Sequence, residues 1–426
     1  MAAPNAPKRF RAPRGVADLL PEEQPIWRFV RETAVRVAES YGYGEIQTPV
    51  FEHAGVFLRP GSEGTDVVDK EVYRFDDRGG DALVLRPEGT AAVCRAFLEH
   101  GMGSRPQPVR LFYLIDSFRY DRPQAGRSRV FHQFGVEAIG DGDPAIDAEV
   151  IDLQCRFYEA LGLGDLTILL NSIGDPVCRP AYLEELRAYY ADKRDQICGD
   201  CRRRYEINPL RLLDCKNEPC QPFKPEAPKI ADHLCGACAN HFSAVRRYLD
   251  DLDIAYQIEP TLVRGLDYYS RTTFEFQPRE EGSQSTIGAG GRYDGLIEQL
   301  GGPATPGIGF GSGLERIILN LGRQERGPPP PAGPDVYLAV ADPEAGGRAL
   351  TLARDLRAAG LSVVAGHGGR SLRSQMRQAD ALAGRYAVVL GREELAAGTL
   401  TLRDLRDAHQ ETLPLPEALQ RLTATV

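Results

Sequence analysis

A run of alternating apolar and polar residues in the first third of the chain predicts two paired strands. The two segments, Leu111–Arg119 and Val130–Ile139, are rich in Phe, Tyr, Val and Ile, which suit a pleated, half-buried surface. The loop between them contains Asp, Pro and Gly, which favour turns. Because side chains alternate between the faces of a strand, Gln133, Gly135 and Glu137 are expected on one face. A small ligand could then lie on the bare Gly135.

Helical spacing of apolar residues predicts three helices around this hairpin. The first covers Leu20–Tyr41, with Pro21 in its first turn. A short strand at Ala82–Leu85 leads into a second helix at Ala91–His100, and a third helix covers Ile146–Leu161. A buried strand, LTILLNSIGD, follows the third helix.

The end of the chain has a different pattern. The segment Arg323–Pro334 contains four consecutive prolines and predicts a stiff, extended linker. After it, strands and helices alternate, with strands at DVYLAV, LSVVAG and YAVVLG. Such alternation places helices on the faces of a parallel or mixed sheet. The sequence therefore predicts a separate α/β domain at 335–426.

The composition is ordinary for a globular protein in water. Of the 426 residues, 42% are hydrophobic and 26% are charged, which is enough for two or three domains with sizeable cores. We find no apolar run of the roughly 18 residues that a membrane helix needs. Residues 1–14 are Pro-rich, lack the apolar centre of a signal peptide and predict a flexible tail. We therefore expect a cytoplasmic protein.

The net charge of −9 argues against a protein that coats nucleic acid without selectivity. Residues 332–426 contain 11 arginines, no lysine and 11 acidic residues, so the earlier part of the chain carries the whole acidic excess. Contact with nucleic acid should then be local, at the hairpin loop or at C-terminal arginines that otherwise form a solvated face. These arginines are Arg370, Arg373, Arg377 and Arg385.

Four arginines crowd the hairpin loop, namely Arg119, Arg122, Arg127 and Arg129. Guanidinium groups this close repel one another unless anions lie between them, and their planar shape fits phosphate or carboxylate. An exposed, solubilising hairpin is the simpler alternative. We prefer a ligand site because an acid and an amide share a strand face nearby.

A carboxylate, a glycine and a hydroxyl stand between the short strand and the second helix, at Glu88, Gly89 and Thr90. They could bind an ammonium group and let a ligand approach the backbone closely. The alternative is an ordinary helix N-terminus, in which Thr90 is the capping residue and Glu88 compensates the helix dipole.

The segment Thr261–Phe276 combines Arg264 with the adjacent Tyr268 and Tyr269, for which simple packing is the alternative role. Two glycine-rich runs follow, IGAGGRYDGL and PGIGFGSGLERIIL, and they match neither the dinucleotide-binding nor the P-loop pattern. Glycines in strands permit close approach of a flat ligand, and Arg316 in the next helix could reach it. Alternatively, Arg316 is a surface residue after a buried strand.

Six of the nine cysteines lie between residues 198 and 238. In a cytosolic chain, paired C-x-x-C motifs favour a metal over disulfides. Cys198, Cys201, Cys235 and Cys238 form two such motifs, which predicts one tetrahedral structural zinc site. Buried thiols without metal are the simpler interpretation. The alternative ligands are Cys215, Cys220, His233 and His241.

Several segments resemble the motifs of the histidyl-tRNA synthetases, a family of class II aminoacyl-tRNA synthetases. FRYDRPQAGRSRVFHQFGVEAIG resembles motif 2, GLDYY is similar to the histidine-specific signature, and GFGSGLER resembles motif 3. The resemblance covers residues 15–419, including a C-terminal segment similar to the anticodon-binding domain. It implies ligation of L-histidine to tRNA(His), driven by ATP with Mg²⁺, through a histidyl-adenylate.

The resemblance also implies how histidine is bound. Glu88, Thr90 and Gln133 would hold its α-ammonium group, with Gly89 beside them. Glu137 and Tyr269 would hydrogen-bond the two imidazole nitrogens, and apolar isosteres would be rejected because they leave these groups unpaired. The pocket would be completed by a further phenol ring, that of Tyr268.

The remaining implied roles belong to arginines. Arg264 would contact the histidine carboxylate and the α-phosphate, where negative charge grows during the reaction. Arg119 and Arg316 would bind ATP, and Arg127 and Arg129 would meet ATP or the acceptor end of the tRNA. None of these groups is a covalent nucleophile, since this phosphoryl chemistry depends on positioning and fixed positive charge.

The expected fold is an α+β catalytic domain (15–175 and 260–322) with a six-stranded antiparallel class II sheet. A small insertion domain (176–259) interrupts it, and a linker (323–334) leads to an α/β anticodon-binding domain (335–426) in a homodimer without membrane attachment. One alternative is the noncatalytic regulatory subunit of ATP phosphoribosyltransferase, which shares the catalytic fold. Another is a glycyl, threonyl or prolyl synthetase. GLDYY, Arg264, Arg316 and the attached C-terminal domain count against the regulatory subunit. The pairing of Glu137 with Tyr269 counts against the other synthetases, whose substrates have no imidazole.

Overall fold

A computed structural model describes residues 10–59, 71–279, 286–329, 332–366 and 369–424. Most of the predicted tail, residues 1–9, lies outside the described residues, and so do two prolines of the predicted linker, 330–331. The chain divides into two compact units, Met1–Pro328 and Pro329–Val426. Among the described residues, no helix has both the length and the apolar character needed to cross a membrane.

The first unit contains eleven described strands and eight described α-helices. The strands are β1 Gly44–Glu45, β2 Phe51–His53, β3 Arg74–Asp76, β4 Ala82–Leu85, β5 Val109–Phe118, β6 Val130–Ile139, β7 Leu166–Ser172, β8 Gln257–Ile258, β9 Ser270–Pro278, β10 Gly288–Arg292 and β11 Gly307–Gly313. The helices are α1 Gln24–Ser40, α2 Thr90–Glu99, α3 Pro144–Ala160, α4 Arg179–Tyr190, α5 Gly199–Ile207, α6 Gly236–Asp251, α7 Leu296–Gln299 and α8 Leu314–Arg323.

Eight of these strands form the central sheet, in the order β1-β5-β6-β11-β10-β9-β7-β8. The six strands from β5 to β7 in this order pair antiparallel, as predicted for a class II catalytic sheet. The two-residue strands β1 and β8 extend the edges in parallel and were not expected to belong to the sheet. A smaller sheet has the order β2-β4-β3.

One face of the central sheet is covered by helices. Aromatic residues of the inner strands, among them Phe134, Phe274 and Phe310, pack with apolar residues of α1, α3 and α8 in a continuous buried cluster. Because side chains alternate along a strand, the residues between these aromatics point to the opposite face. That opposite face carries the candidate site.

Helix α1 begins at Gln24 rather than at the predicted Leu20. The residues before it form a turn closed by a hydrogen bond from the Leu20 N–H to the Glu23 carboxylate, 3.1 Å long. Pro25, and not Pro21, therefore stands in the first helical turn, where its missing N–H costs nothing.

The segment 176–259 is tied to the catalytic sheet at its C-terminal end. Helix α6 contributes Phe242, Val245 and Leu249 to the buried cluster under the sheet. Nε2 of His241 on this helix lies 2.9 Å from the carboxylate of Asp147 on α3. A distinct insertion domain in this segment stays a prediction, because part of it packs into the same core as the sheet.

The second unit is an α/β fold, as predicted. Its strands are β12 Val336–Val340, β13 Val363–Ala365, β14 Tyr386–Leu390, β15 Thr399–Asp404 and β16 Gln410–Pro414, and its helices are α9 Gly346–Ala358, α10 Leu372–Ala381, α11 Arg392–Ala397 and α12 Leu415–Thr423. The sheet order is β13-β12-β14-β15-β16, parallel for the first three strands. The last two strands form an antiparallel hairpin that the prediction omitted.

Candidate active site

The floor of the site is a part of the sheet where glycines stand in place of larger side chains. Glu137 of β6, Gly309 of β11 and Gly291 of β10 are successive cross-strand partners in one row. The next row consists of Gly135, Gly311 and Ala289. Residues directly opposite each other in antiparallel strands share a face, so these small residues form a nearly bare surface.

The side chains of Glu137 and Tyr269 meet over this floor. A Cβ atom on Gly309 would lie 2.1 Å from Oε2 of Glu137, and one on Gly291 would lie 3.0 Å from Cδ1 of Tyr269. Because the two glycines are direct partners, such Cβ atoms would be about 5 Å apart. The structure therefore brings an acid and a phenol from distant segments to neighbouring positions of one row.

These contacts predict different tolerances for two similar glycines. Gly309→Ala should lower the free energy of unfolding by about 1–3 kcal/mol, because its Cβ would also lie 2.3 Å from the backbone oxygen of Val136, which cannot move aside. Gly311→Ala should leave it nearly unchanged, since the nearest atom is Nε2 of Gln133 at 3.4 Å. Denaturant unfolding of both variants measures the difference. Equal losses would contradict the described floor.

Glu137 is the most deeply engaged acid of the site. Its side chain is fully buried, and its Oε1 accepts hydrogen bonds from the Thr90 hydroxyl at 2.7 Å and the Tyr113 hydroxyl at 3.1 Å. Oε2 accepts from the Tyr293 hydroxyl at 2.6 Å. Burial raises the pKa of Glu137 to about 8, although these three donors favour the carboxylate. One acceptor position on Oε2 is left for a further donor.

Glu88 and Thr90 serve both the helix and the site. The Glu88 carboxylate accepts from the N–H groups of Thr90 and Ala91, at 2.5 and 3.0 Å, so Glu88 rather than Thr90 caps helix α2. The Thr90 hydroxyl points instead to Glu137. Burial raises the pKa of Glu88 above its usual value. The site thus holds two buried carboxyl groups, and in both of them burial disfavours the ionised form more than the surrounding donors favour it.

The expectation that a ligand rests on the bare Gly135 is wrong. The ring of Tyr113 already covers this position, since a Cβ on Gly135 would lie 2.3 Å from its Cζ. The same ring covers Gly89, at 2.4 Å from a Cβ there. These glycines accommodate a tyrosine of the protein rather than a ligand.

Three tyrosine rings border the acid end of the site. The rings of Tyr268 and Tyr269 have centroids 4.8 Å apart, and Tyr268 lies 6.1 Å from Tyr293 edge to face. The Tyr268 hydroxyl is buried, and no hydrogen-bond partner for it occurs in the part of the chain that the structure describes. A buried hydroxyl in this condition favours a polar ligand close by.

An open cleft of about 580 Å³ adjoins this pocket and is lined mainly by polar and charged residues. Four predicted arginines line it, Arg119, Arg127, Arg264 and Arg316. Burial and repulsion from Arg127 and Arg119 lower the pKa of Arg316. The predicted Gln133 also faces the cleft and accepts from the Ser117 hydroxyl at 3.0 Å. The lining contains five arginines and four acids, and the repulsion among its arginines favours the binding of an anion.

These arginines are held in place by the protein. Nε of Arg119 donates to the Pro87 oxygen at 2.9 Å, and Nε of Arg316 donates to the Gly126 oxygen at 3.1 Å. Arg127 forms an ion pair with Asp121 at 2.7 Å and is more exposed. Positioned in this way, guanidinium groups present their remaining N–H donors at little entropic cost.

Arg264 lies between the two ends of the site. It forms an ion pair with Glu275 and stacks over the ring of Tyr269, with its Cζ 5.4 Å from the ring centroid. Burial, the largest single effect, lowers the pKa of Arg264, but Glu275 together with the two neighbouring tyrosines outweighs it, so that this pKa is raised. The Glu275 carboxylate is further fixed by the Thr286 hydroxyl at 2.8 Å.

Two features of the site were not predicted from the sequence. Arg211 lines the cleft, forms an ion pair with Asp214 at 2.8 Å, and donates to the Gly265 oxygen at 3.4 Å. The hydroxyls of Tyr113 and Tyr293 fix Glu137. In the sequence, Tyr113 could have been recognised only by its predicted position opposite Gly135 on the neighbouring strand. No sequence pattern marked Arg211, which lies far along the chain.

The predicted set of four zinc ligands is wrong. Cys198 and Cys201 cluster with Cys215 and Cys220, whereas Cys235 and Cys238 cluster with Asp175 and Cys178. The reason is that the two C-x-x-C motifs open different helices, α5 and α6, and each meets its own partners. The predicted His233 and His241 belong to neither group and instead face Glu185 and Asp147.

Comparison with known proteins agrees with the motifs. The family model for histidyl-tRNA synthetase matches residues 15–186 and 222–317, and that for an anticodon-binding domain matches residues 335–425. A histidine–tRNA ligase of Dehalococcoides mccartyi is 54% identical over 96% of this chain and 98% of its own length. The crystal structure of apo S. aureus histidyl-tRNA synthetase superposes with a TM-score of 0.81 at 34% identity, covering 97% of this chain and all of the other.

One solved structure shows why the fold alone does not decide the activity. A protein of Bacillus halodurans C, described as an ATP phosphoribosyltransferase regulatory subunit/histidyl-tRNA synthetase, has a TM-score of 0.63 at 21% identity, covering 88% of this chain and 97% of its own. Similarity at this level shows only a shared fold. The match at 54% identity over nearly the full length distinguishes a histidyl-tRNA synthetase from the regulatory subunit. The chain belongs to the histidyl-tRNA synthetase family, the class II enzymes that attach histidine to tRNA, as its motifs predicted.

Proposed function

We propose that this chain activates L-histidine with ATP and Mg²⁺ and then transfers it to tRNA(His). In the first step, a carboxylate oxygen of histidine attacks the α-phosphorus, and the bond to pyrophosphate breaks. In the second, a hydroxyl of the terminal adenosine attacks the carbonyl carbon and AMP leaves. One observation supports this most directly: buried acids stand at one end of the site and arginines at the other, which suits a ligand with a cationic head and a polyanionic tail.

Glu88, Thr90 and Gln133 would hold the α-ammonium group. Burial raises the pKa of both Glu88 and Glu137, and the charge of Glu88 raises that of Glu137 further, so a cation between them would lower the electrostatic cost of both. Glu88 is already oriented by two backbone N–H groups, which fixes its remaining acceptor positions.

Glu137 and Tyr269 would bind the imidazole ring, and Tyr268 would line its pocket. Their adjacent places over Gly309 and Gly291 support this assignment. An amino acid without a ring donor would leave the buried Glu137 unpaired, and such an unmet hydrogen bond supports strong discrimination. Glycine, threonine and proline would not fill or satisfy this pocket.

Arg264 would bind the reacting carboxylate and the α-phosphate. It stands beside Tyr269, against the imidazole pocket, and also lines the cleft that contains the other arginines. A fixed cation at this position would stabilise the charge that builds up as the bond to phosphorus forms. Arg119, Arg127 and Arg316 would bind the rest of ATP, with Mg²⁺ accompanying the phosphates.

The tRNA would meet the protein at two places. Arg129, whose guanidinium lies 4.0 Å from the ring of Tyr120, would join Arg127 at the acceptor end. In the second unit, Arg373 and Arg377 are exposed on α10, Arg370 precedes that helix and Arg385 follows it. Exposed arginines grouped in this way suit phosphate contacts. We further propose a homodimer in the cytoplasm.

Amino-acid-dependent exchange of pyrophosphate into ATP tests the proposal. The purified chain should catalyse exchange with histidine and with none of the other amino acids. Subsequent addition of tRNA(His) should yield histidyl-tRNA. Exchange with another amino acid would overturn the assignment in favour of a different class II synthetase, and no exchange with folded protein would overturn it in favour of the regulatory alternative.

The raised pKa of Glu137 predicts the pH dependence of histidine use. Three hydroxyls donate to Glu137, so we expect its proton to pass to the bound ring, which then donates to both Glu137 and Tyr269. The complex therefore requires one proton in total on Glu137 and the imidazole ring. The kcat/KM for histidine should be highest between about pH 6.5, where free imidazole loses its proton, and about pH 8, where Glu137 loses its proton.

Comparison with Glu137→Gln isolates this effect, since the amine of histidine also titrates at alkaline pH. The variant should retain the amine limb and lose the limb near pH 8. Identical alkaline limbs in both proteins, or a rise of kcat/KM through pH 8 in the wild type, would contradict a shared proton.

A further inference from the structure

We propose that Cys198, Cys201, Cys215 and Cys220 bind a structural zinc ion. Their sulfur atoms all lie within 4.8 Å of one another, and the Sγ atoms of Cys198 and Cys215 are 3.8 Å apart. Four thiolates at about 2.3 Å from a tetrahedral zinc ion are separated by about 3.8 Å. Cys198 and Cys215 therefore stand at the spacing that such an ion requires, and the other two sulfurs lie near enough to complete the set.

The chain presents these cysteines as two short loops, C-x₂-C and C-x₄-C. The first opens helix α5, and the second spans the start of a 3₁₀ turn at Glu218–Phe223. Loops of this length are typical of structural zinc sites, in which each pair supplies two of the four ligands. The second pair escaped the sequence prediction, which considered only the two C-x-x-C motifs as a matched set.

Hydrogen-bond donors already point at the sulfurs. Sγ of Cys198 accepts from the Cys201 N–H at 3.4 Å and from Nδ2 of Asn217 at 3.1 Å. Sγ of Cys220 accepts from the Cys198 N–H at 3.3 Å. Donors of this kind orient ligating groups and stabilise the thiolate form that binds metal. Cysteines that served only as small apolar residues would need none of them.

The surrounding segment has little regular structure of its own. Between residues 198 and 223 it forms one nine-residue helix and two short 3₁₀ turns, without a strand. Its buried apolar residues besides the cysteines are few, chiefly Leu212 and Leu213. A metal bound by four side chains can add folding free energy to a segment that has few buried apolar residues of its own.

The second cluster, Asp175 with Cys178, Cys235 and Cys238, is a weaker candidate. Oδ1 of Asp175 accepts from the Val177 N–H at 3.0 Å, and Oδ2 lies 3.3 Å from the guanidinium of Arg271. This carboxylate is thus already paired with a cation and committed to the backbone. We expect one zinc ion per chain, at the four-cysteine cluster.

Metal analysis of the full-length protein, purified without chelator, tests the proposal. The wild type should contain about one zinc per chain, and Cys215→Ser/Cys220→Ser should lose it. Two controls should keep it: Cys235→Ser/Cys238→Ser in the other cluster, and Cys155→Ser, a thiol on α3 that belongs to neither. Replacing the metal by cobalt in the wild type should give tetrahedral d–d bands and strong thiolate charge-transfer absorption, a readout that needs no variant to fold.

The contrary results are specific. Zinc below about half an equivalent per wild-type chain would overturn the site, and so would zinc that persists in Cys215→Ser/Cys220→Ser or disappears only in Cys235→Ser/Cys238→Ser. A disulfide bond between any two of these four cysteines, in protein freshly purified under reducing conditions, would likewise overturn it. Cobalt spectra without charge-transfer bands would exclude thiolate ligation even if the double variant failed to fold.

Discussion

Replacing Arg264 by alanine is expected to lower histidine-dependent pyrophosphate exchange by at least about 10²–10³-fold. The guanidinium is the one predicted catalytic group that borders both the proposed imidazole pocket and the arginine-lined cleft. It would stabilise charge that grows as the carboxylate oxygen attacks phosphorus, so kcat should fall more than the KM values rise. Steady-state exchange kinetics with varied histidine and ATP measure both.

The ion pair of Arg264 with Glu275 complicates a simple reading of this variant. Removing one partner of a buried pair leaves the other charge uncompensated and destabilises the fold. The double variant Arg264→Ala/Glu275→Gln removes that charge and should recover stability without recovering exchange. Arg110→Ala, which breaks an Arg–Glu pair with Glu149 elsewhere in the catalytic unit, should leave exchange nearly unchanged. Exchange that returns in the double variant would assign Arg264 a structural role only.

Replacing Glu137 by glutamine is expected to lower kcat/KM for histidine by about 10–100-fold, the effect of a lost hydrogen bond to a charged group. The change keeps the shape of the side chain. The hydroxyls that face the new NH2 group can rotate to accept from it, and those that face the remaining oxygen can still donate, so the fold should persist. Exchange kinetics with varied histidine give the value, and the KM for ATP should stay constant.

Thr401→Ala is a suitable control for this second prediction, since it removes a hydroxyl in the other compact unit, paired with Glu394 and Thr412. Histidine kinetics should not change. An unchanged kcat/KM for histidine in Glu137→Gln would show that the acid serves only the packing of the pocket. The ring would then have to be recognised by other groups.

The sequence predicted those parts of the fold that depend on local pattern. Alternation along Val130–Ile139 gave the bounds of β6, and the spacing of apolar residues gave the helices to within a few residues. The six-stranded antiparallel sheet came from the family resemblance, because strand order depends on pairing between distant segments. Alternation alone does not reveal which strands lie between Glu137 and Tyr269.

The site was predicted less completely, for reasons that concern distant pairing. The arginines of the cleft were visible as a cluster in the chain, whereas the partner of Arg264 became evident only when β9 was placed beside it. Tyr113 lies on β5 and Tyr293 directly follows β10, and the hydroxyls of both donate to Glu137. The cysteine grouping failed in the same way: two equivalent C-x-x-C motifs do not reveal which sulfurs meet.

The position of Arg211 links the cysteine cluster to the chemistry. This residue lies between Cys201 and Cys215 in the chain and reaches the wall of the cleft beside Gly265. If the four-cysteine cluster holds a zinc ion, a chelator or oxidant that acts on the cluster would disturb the part of the cleft that Arg211 lines without binding in the cleft itself. The supply of histidyl-tRNA, and with it the reading of histidine codons, would then follow the cell's metal and thiol balance.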